Sequence, residues 1–362
     1  MAFNISRYYN RKHIEAEFEV LTPLFLGNAD QEAELRSPPF KYLMRYWWRV
    51  TQHEKADPSS LLEAESRLFG SAGEDGDGAT GKSPIKISVS LDKSQSAKPC
   101  KDDLPLLKKI HHPECRHQNG MINPLLYLGG MGLMKNASVT HSYYRSGLRF
   151  KVNIDYDPYV VEQVRDCLSI IQAFGALGSR CRNGWGSIQM VSGASDIDNV
   201  INLLQKFTRP WEQGLEKDYP NCLGQDDDKK PLLWKTTPQE SWEQAMRELA
   251  DAYAALRARP IGAYPRINPG TNTKPGERHL LGVPLTNHSG GWPKNARHAS
   301  PLRFVIRRKD NQYRGFILHL PYKFSSQMHY PPGIDQKAFW EKVHSKLDAI
   351  GNLKRAEYKD CL

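Results

Sequence analysis

The sequence has no long hydrophobic run and few cysteines. No segment approaches the roughly 18 consecutive apolar residues of a membrane span, and the mean hydropathy is -0.62. The first residues lack the apolar core of a signal peptide, so we expect a cytosolic protein. Six cysteines in 362 residues are too few for a disulfide framework and are expected to be free thiols.

Globular composition and an excess of basic residues are what the chain does have. Hydrophobic residues make up 39% and charged residues 25%, which is enough apolar material for a core. A length of 362 residues predicts two domains. The formal net charge of +10 favours a polyanionic partner but says nothing about the fold.

Strand and helix patterns alternate in the first half. Alternating apolar and polar residues predict strands over 13–21, 84–91, 147–155 and 187–191, and helical spacing predicts helices over 40–53 and 157–177. Strand, helix, strand, strand, helix, strand is the order of the ferredoxin-like fold and of the RNA-recognition fold. We interpret residues 92–146 as an insertion that covers one face or edge of this domain.

The second half resembles a degraded copy of the first. A strand is predicted over 231–236, a helix over 238–257, a hairpin over 302–307 and 313–320, and a final helix over 335–350. We therefore expect an α+β protein with two ferredoxin-like (RRM-like) domains, 1–193 and 194–362, and a long insertion in the first.

A basic stripe on the first predicted helix is one candidate binding site. Lys41, Arg45 and Arg49 are spaced four residues apart and share one helix face. Together with an aromatic ring such as Trp48, they suit an RNA backbone and its bases. The alternative is an ordinary amphipathic helix with a solvated cationic face.

The glycine-rich segment 174–186 (FGALGSRCRNGWG) is a second candidate. Gly178 and Gly184 allow the backbone to approach a ligand, Arg180 and Arg182 supply guanidinium groups, and Trp185 supplies a ring for stacking. The alternative is a helix end followed by a tight turn. Four glycines and two arginines favour binding.

A third candidate precedes the predicted hairpin. Arg297, His298 and Arg303 lie in a segment that is rich in phosphate-binding side chains. His298 or His141 could instead serve as a general acid or base in RNA cleavage, but nothing in the sequence pairs either with a partner.

Two further sequence patterns are weaker evidence for a binding site. Residues 76–83 (GDGATGKS) match the Walker A pattern, but a strand rather than a helix is predicted to follow, which argues against nucleotide binding. The residues Cys100, His111, His112, Cys115 and His117 are of zinc-binding types, but their spacing matches no standard finger. We therefore predict no cofactor and leave zinc binding open.

Several of these motifs together resemble the RAMP superfamily of CRISPR RNA-binding proteins, and in particular the first-numbered subunit family of the type III-B Cmr module. The resemblance rests on residues 22–27 (TPLFLG), 36–41 (RSPPFK), 43–49 (LMRYWWR), 174–186 and 297–302 (RHASPL), with a weaker match at 68–71 (LFGS). It implies two ferredoxin-like domains and a hetero-oligomeric ribonucleoprotein.

By resemblance, this subunit binds guide RNA near its 3′ end or the target RNA paired with it, and is not the subunit that cleaves the target. Two alternatives remain open from the residues. One is a metal-independent endonuclease that processes guide RNA on the same fold. The other is a structural end-cap that contacts only protein partners.

Overall fold

The computed structural model describes residues 10–54, 57–71, 82–91, 98–112, 114–115, 117–130, 132–135, 138–193, 195–257, 267–285 and 288–362. Its helices are α1 (Ser37–Val50), α2 (Pro58–Phe69), α3 (Pro124–Gly129), α4 (Val161–Phe174), α5 (Ile197–Lys206), α6 (Trp211–Gly214), α7 (Trp242–Arg257) and α8 (Gln336–Ala349). Its strands are β1 (Lys12–Val20), β2 (Ile85–Leu91), β3 (Ile110–His111), β4 (Met121–Ile122), β5 (Met134–Lys135), β6 (Ser138–Val139), β7 (Arg149–Tyr156), β8 (Ile188–Ser192), β9 (Thr208–Pro210), β10 (Leu223–Gln225), β11 (Leu233–Thr236), β12 (Leu302–Lys309), β13 (Gln312–His319) and β14 (Leu353–Arg355).

The fold is mixed α/β with several antiparallel sheets. In the first half, four strands pair in the order β2-β7-β1-β8, and every pairing is antiparallel. Side chains alternate along β1, so that Ala16, Phe18 and Val20 are buried. These three belong to the same core cluster as the apolar residues of α1 and α4.

A second four-stranded antiparallel sheet lies in the other half, in the order β12-β13-β11-β14. Helix α7 connects its first two strands along the chain, and α8 connects its last two. In both sheets the fourth strand along the chain lies beside the first. The strands and helices agree with the sequence patterns to within a few residues, but β14 was not predicted because three residues are too short to show a period.

The insertion, predicted to cover one face or edge of the first domain, contacts both halves of the chain. It meets the first half at the bridge between Leu24 and Tyr144, and it also packs on the second half. Its helix α3 packs against α7 of the second half, with the rings of Tyr127 and Tyr253 5.8 Å apart. Arg247 of α7 donates from Nε to the carbonyl of Lys108 at 3.0 Å. Helix α3 packs there because the apolar side chains of α7 and Leu125 of the insertion belong to the same core cluster.

The two large sheets meet at their edges. Strand β8 is the edge of the first sheet, and β12 is the edge of the second. Ser187 accepts from the Ile306 amide at 2.9 Å, and Gln189 exchanges hydrogen bonds of 3.0 and 3.1 Å with the backbone of Arg308. Arg308 also forms a bidentate ion pair with Glu19 of β1, at 2.7 and 2.9 Å.

Arg307 anchors this seam from the inside. It is 3% exposed and donates to the carbonyls of Ala173 at 2.7 Å, Ile306 at 2.9 Å, Ile188 at 3.1 Å and Gly175 at 3.4 Å. The carbonyls at the end of α4 carry partial negative charge, which suits a guanidinium group. Burial lowers the pKa of Arg307 to about 10, so the side chain stays charged near neutral pH.

Replacing Arg307 tests this seam. Arg307→Met leaves several buried carbonyls without a donor, and each unsatisfied acceptor costs about 1–3 kcal/mol. We expect the free energy of unfolding, measured in urea, to fall by about 3 kcal/mol. The matched control is Lys309→Met, which removes an exposed charge from the same strand and should change the stability by less than about 0.5 kcal/mol. Equal effects of the two changes would contradict the role of Arg307.

Candidate nucleic-acid interface

Helix α1 carries its basic stripe beside a wide apolar face. Pro38 and Pro39 occupy its first turn, where a missing N–H leaves no intrahelical bond unmade. Its buried side chains face the core and are Phe40, Leu43, Met44, Tyr46, Trp47, Trp48 and Val50. Lys41, Arg45 and Arg49 remain partly exposed.

A single carboxylate from α2 engages two of these cations. Glu65 accepts from Arg45 Nε at 2.7 Å and from Arg49 at 2.5 and 2.8 Å. Burial raises the pKa of Glu65, but its hydrogen bonds and ion pairs with Arg49 and Arg45 outweigh burial and hold the pKa below its ordinary value. The arginine side chains are 34% and 35% exposed, against 2% for that of Glu65. The cluster therefore keeps a net positive charge that faces solvent.

Lys41 extends the stripe by one turn. Burial, and then the nearby charge of Arg45, lower the pKa of Lys41 below its ordinary value. An anion bound between these two side chains would relieve their repulsion.

The two tryptophans proposed for base stacking are buried. Trp48 is 3% exposed and packs edge-on against Phe69, with the ring centres 6.1 Å apart. Trp185 is fully buried between Phe25, at 5.6 Å, and Trp242, at 6.3 Å. Both rings contribute apolar area to the cores, so the expectation that they stack on RNA is wrong.

The glycines of segment 174–186 serve packing within the protein. Gly178 has a φ of +81°, and a Cβ there would lie 2.3 Å from the carbonyl oxygen of Phe25. Gly184 has a φ of +88°, and a Cβ there would lie 2.6 Å from the sulfur of Met246. The Gly184 carbonyl accepts from the hydroxyl of Thr22 at 2.8 Å. Gly184 is therefore buried against its own chain and does not face a ligand, contrary to the prediction.

Arg180 and Arg182 of this segment lie in different surroundings. Arg180 is exposed, and its guanidinium group lies beside Gly130 and Gly132 of the insertion, where an added Cβ would approach it to 3.3 and 3.4 Å. Arg182 is half-buried, with its Cζ 5.6 Å from the ring centre of Tyr46.

A cleft brings three of the predicted cations together. It has a volume of about 170 Å³ and is lined by Tyr42, Tyr46, Arg49, Arg182, Asp218, Tyr219, Pro220, Arg297, His298, Ala299, Tyr322 and Ser325. Arg49 comes from α1, Arg182 from the glycine-rich segment, and Arg297 from the segment before β12. Asp218 is the single carboxylate in this lining, so the cleft is cationic.

His298 and Arg303, the other predicted contacts of the second half, are buried at 3% exposure each. Burial, with a smaller effect of Arg182, lowers the pKa of His298 to about 4, so its imidazole is neutral at pH 7. Arg303 lies inside the core against the rings of Tyr46 and Trp47. Arg303 is enclosed by these rings and does not line the cleft, whereas His298 is almost completely buried but contributes to the cleft lining.

Tyr42 is one of the lining residues that the sequence reasoning did not select. It is 59% exposed and belongs to α1. Its spacing from Tyr46 and Arg49 is four and then three residues, which places all three on one side of the helix. That spacing could have identified Tyr42, but the larger tryptophans were selected as the stacking residues.

The outer face of the first sheet offers no stacking platform. RNA-recognition domains stack bases on aromatic side chains of this face. Here Glu15 pairs with Lys151 at 2.9 Å and His13 with Asp155 at 2.8 Å. These neighbouring charges of both signs make the face a poor surface for a polyanion.

The structure bears on the two weaker sequence patterns, which are the Walker A match and the residues of zinc-binding types. Residues 76–81 lie outside the described residues, and Lys82 and Ser83 lead into strand β2 instead of a helix. Within the described ranges, no group of three or more His, Cys, Asp or Glu side chains could hold a metal ion. No helix in those ranges is long and apolar enough to cross a membrane.

Removing the shared carboxylate tests the cationic cluster on α1. Glu65→Ala leaves the two partly buried guanidinium groups without their partner, and we expect the free energy of unfolding to fall by about 2 kcal/mol. Glu63→Ala is the matched control, because its exposed pair with Arg67 contributes less than about 1 kcal/mol. Urea unfolding measures both, and a loss for Glu65→Ala no larger than for Glu63→Ala would contradict the shared pair.

The chain is similar to known proteins of one family. Residues 17–189 match the family model described as the RAMP superfamily. The CRISPR system Cmr subunit Cmr1-1 of Pyrococcus furiosus is 29% identical over 178 residues, which are 48% of this chain and 46% of that protein. The chain thus spans about half the length of the curated relative that it matches.

Two solved structures are also similar. The crystal structure of Cmr1 from Pyrococcus furiosus in its apo form has a TM-score of 0.48 and 20% identity, covering 95% of this chain and 98% of that chain. A cryo-EM structure of the type III-B Cmr-beta complex bound to cognate target RNA has a chain with a TM-score of 0.45 and 11% identity, covering 92% of this chain and 99% of that one.

Proposed function

We propose that the chain, whose residues 17–189 match the RAMP superfamily model, is an RNA-binding subunit of a type III-B CRISPR (Cmr) effector complex. Its partners would be guide RNA near the 3′ end, or target RNA paired with the guide, and other Cmr subunits. The related protein of Pyrococcus furiosus carries a Cmr subunit name, which supports this assignment.

The observation that carries the proposal is the cationic cleft. Arg49, Arg182 and Arg297 are far apart in sequence, yet all three line it, against one carboxylate from Asp218. Guanidinium groups suit phosphate because their planar N–H groups match its oxygens. A polyanionic strand would use this surplus charge, whereas the paired charges of the outer sheet face would not attract it.

Aromatic side chains in the same lining support a single strand over a duplex. The exposed ring of Tyr42 stands beside Arg49 on α1, so one base could stack while the flanking phosphates bind arginine. Such contacts tolerate many base sequences. Specificity would come from guide pairing and neighbouring subunits. Lys41, Arg45 and Arg180 would supply flanking phosphate contacts.

We propose that the chain does not cleave RNA. The histidine at the cleft, His298, is neutral at pH 7 and too weak a base to take up a proton efficiently there. Labelled repeat RNA incubated with the purified protein in EDTA should therefore remain intact. Discrete products that disappear in His298→Ala or His141→Ala would instead favour the guide-processing enzyme.

We also infer that each large sheet and its two helices form a ferredoxin-like domain, with the boundary near residue 193. The support is topological. With α2 and the insertion left aside, the elements of both sheets follow the order strand, helix, strand, strand, helix, strand along the chain, and both sheets place the fourth strand beside the first. The seam between β8 and β12 would then be the interface between the domains.

Salt dependence tests the phosphate contacts. For single-stranded RNA, each phosphate contact adds about 0.7 to the slope of log affinity against log salt. The triple variant of Arg49→Ala, Arg182→Ala and Arg297→Ala should bind more weakly and flatten that slope by about 2. Filter binding from low to moderate salt measures both quantities.

The control for this test is a triple variant of exposed arginines outside the cleft lining: Arg67→Ala, Arg145→Ala and Arg165→Ala. It removes the same formal charge, so an effect of net charge alone would appear in both proteins. Equal slopes for the two triple variants would argue against the cleft, and unchanged affinity in the cleft variant would overturn its proposed role.

Tyr42 is expected to contribute a base contact. Tyr42→Ala should weaken single-stranded RNA binding by about 1–3 kcal/mol, which is the usual contribution of one stacked base. Tyr42→Phe keeps the ring and should bind like the wild type. Because neither change removes a cation, the salt slope should stay constant in both. A loss in Tyr42→Phe as large as in Tyr42→Ala would contradict stacking.

A further inference from the structure

Arg303 lies in an unusual environment for a buried cation. It belongs to β12, is 3% exposed, and has its Cζ 5.0 Å from the ring centre of Tyr46 and 5.1 Å from that of Trp47. Nη2 reaches the carbonyl of Ala176 only at 3.5 Å, and Nε has no hydrogen-bond partner among the described residues. Within those residues the side chain forms no ion pair.

This environment makes Arg303 a poor source of stability. Burying a guanidinium group without a carboxylate is costly, and two aromatic faces offset that cost only in part. Two neighbours on the same strand are better satisfied, since Arg307 donates to four carbonyls and Arg308 pairs with Glu19. The position of Arg303 therefore calls for another explanation.

Arg303 is connected to the cleft through Tyr46. The Cζ of Arg182 also lies over the Tyr46 ring, at 5.6 Å, so two guanidinium groups share one aromatic side chain. The next residue of β12 holds the backbone of Arg182 as well, because the Phe304 amide donates to the Arg182 carbonyl at 2.7 Å. The start of β12 thus fixes both the backbone of Arg182 and the ring on which its side chain rests.

We propose that Arg303 is a positioning residue of the cleft, which holds the ring of Tyr46, and through it the guanidinium group of Arg182, in place for a phosphate. The proposal rests on the proposed function, because the phosphate is taken to be part of an RNA strand. Arg303 itself is covered by protein and makes no contact with the strand. A fixed Arg182 loses less side-chain entropy on binding, which raises affinity without adding a contact.

The test compares Arg303→Met with the matched control Lys309→Met, which removes an exposed charge from the same strand. The first readout needs no RNA. Phenylglyoxal labels accessible guanidinium groups, and the labelling rate of Arg182 can be followed by mass spectrometry. We expect Arg303→Met to raise that rate several-fold and Lys309→Met to leave it unchanged. Urea unfolding curves check that both variants are folded before labelling. An unchanged Arg182 rate in folded Arg303→Met would overturn the proposal.

The second readout is RNA affinity as a function of salt. Arg303→Met should weaken binding about tenfold, in line with the loss of a desolvated cation–π contact, and keep the wild-type salt slope. Arg182→Ala should instead flatten the slope. Faster labelling with unchanged affinity would overturn the positioning role in binding, and a flattened slope in Arg303→Met would mean that Arg303 itself contacts phosphate.

A second pair of variants covers the case in which Arg303→Met does not fold. Tyr46→Leu removes the shared ring and should raise the labelling rate of Arg182, whereas Tyr46→Phe keeps the ring and should not. Identical rates in these two variants would overturn the proposal. If the wild-type protein binds no RNA at all but the labelling results hold, the proposed function fails while the linkage of Arg303 to Arg182 stands.

Discussion

The packing of β12 against the first half is the constraint on which the cleft depends. Arg307 reaches across the seam to the carbonyls at the end of α4, and Arg308 reaches Glu19 on β1. The cleft takes Arg49 and Arg182 from one side of this seam and Arg297 from the other. If the two halves separated, the three guanidinium groups would no longer face a common space, although each half could keep its own sheet.

Electrostatic balance decides which surfaces stay available to a polyanion. On α1, one buried carboxylate from Glu65 serves two arginines, so those side chains are held in place while positive charge remains. On the outer face of the first sheet, acids and bases alternate across neighbouring strands and cancel. The net charge of +10 is therefore a weaker guide than its distribution.

Periodicity predicted the strands and helices well, because alternation and helical spacing follow from burial of one face. The same reasoning could not tell which aromatic residue of α1 faces outward. Trp48 and Tyr42 both lie near the basic stripe, and only the position of α2 decides that Trp48 is covered. Segment 174–186 was similarly ambiguous. A glycine that makes room for a ligand and a glycine that makes room for another part of the same chain cannot be distinguished from the sequence. Arg303 was predicted to bind phosphate because its segment is rich in phosphate-binding side chains, whereas the rings of Tyr46 and Trp47 enclose it.

The position of α3 on α7 has a consequence for shortened forms of the chain. The insertion looks removable in the sequence, since it interrupts a repeating pattern of strands. In the folded protein, however, it covers part of an alanine-rich helix surface on the opposite half, and Asn183 binds the Leu128 carbonyl within it at 2.8 Å. Deleting the insertion would expose a hydrophobic surface on α7, which is distant in sequence from the deleted residues. A trimmed protein would need polar replacements along that helix to remain dispersed in water.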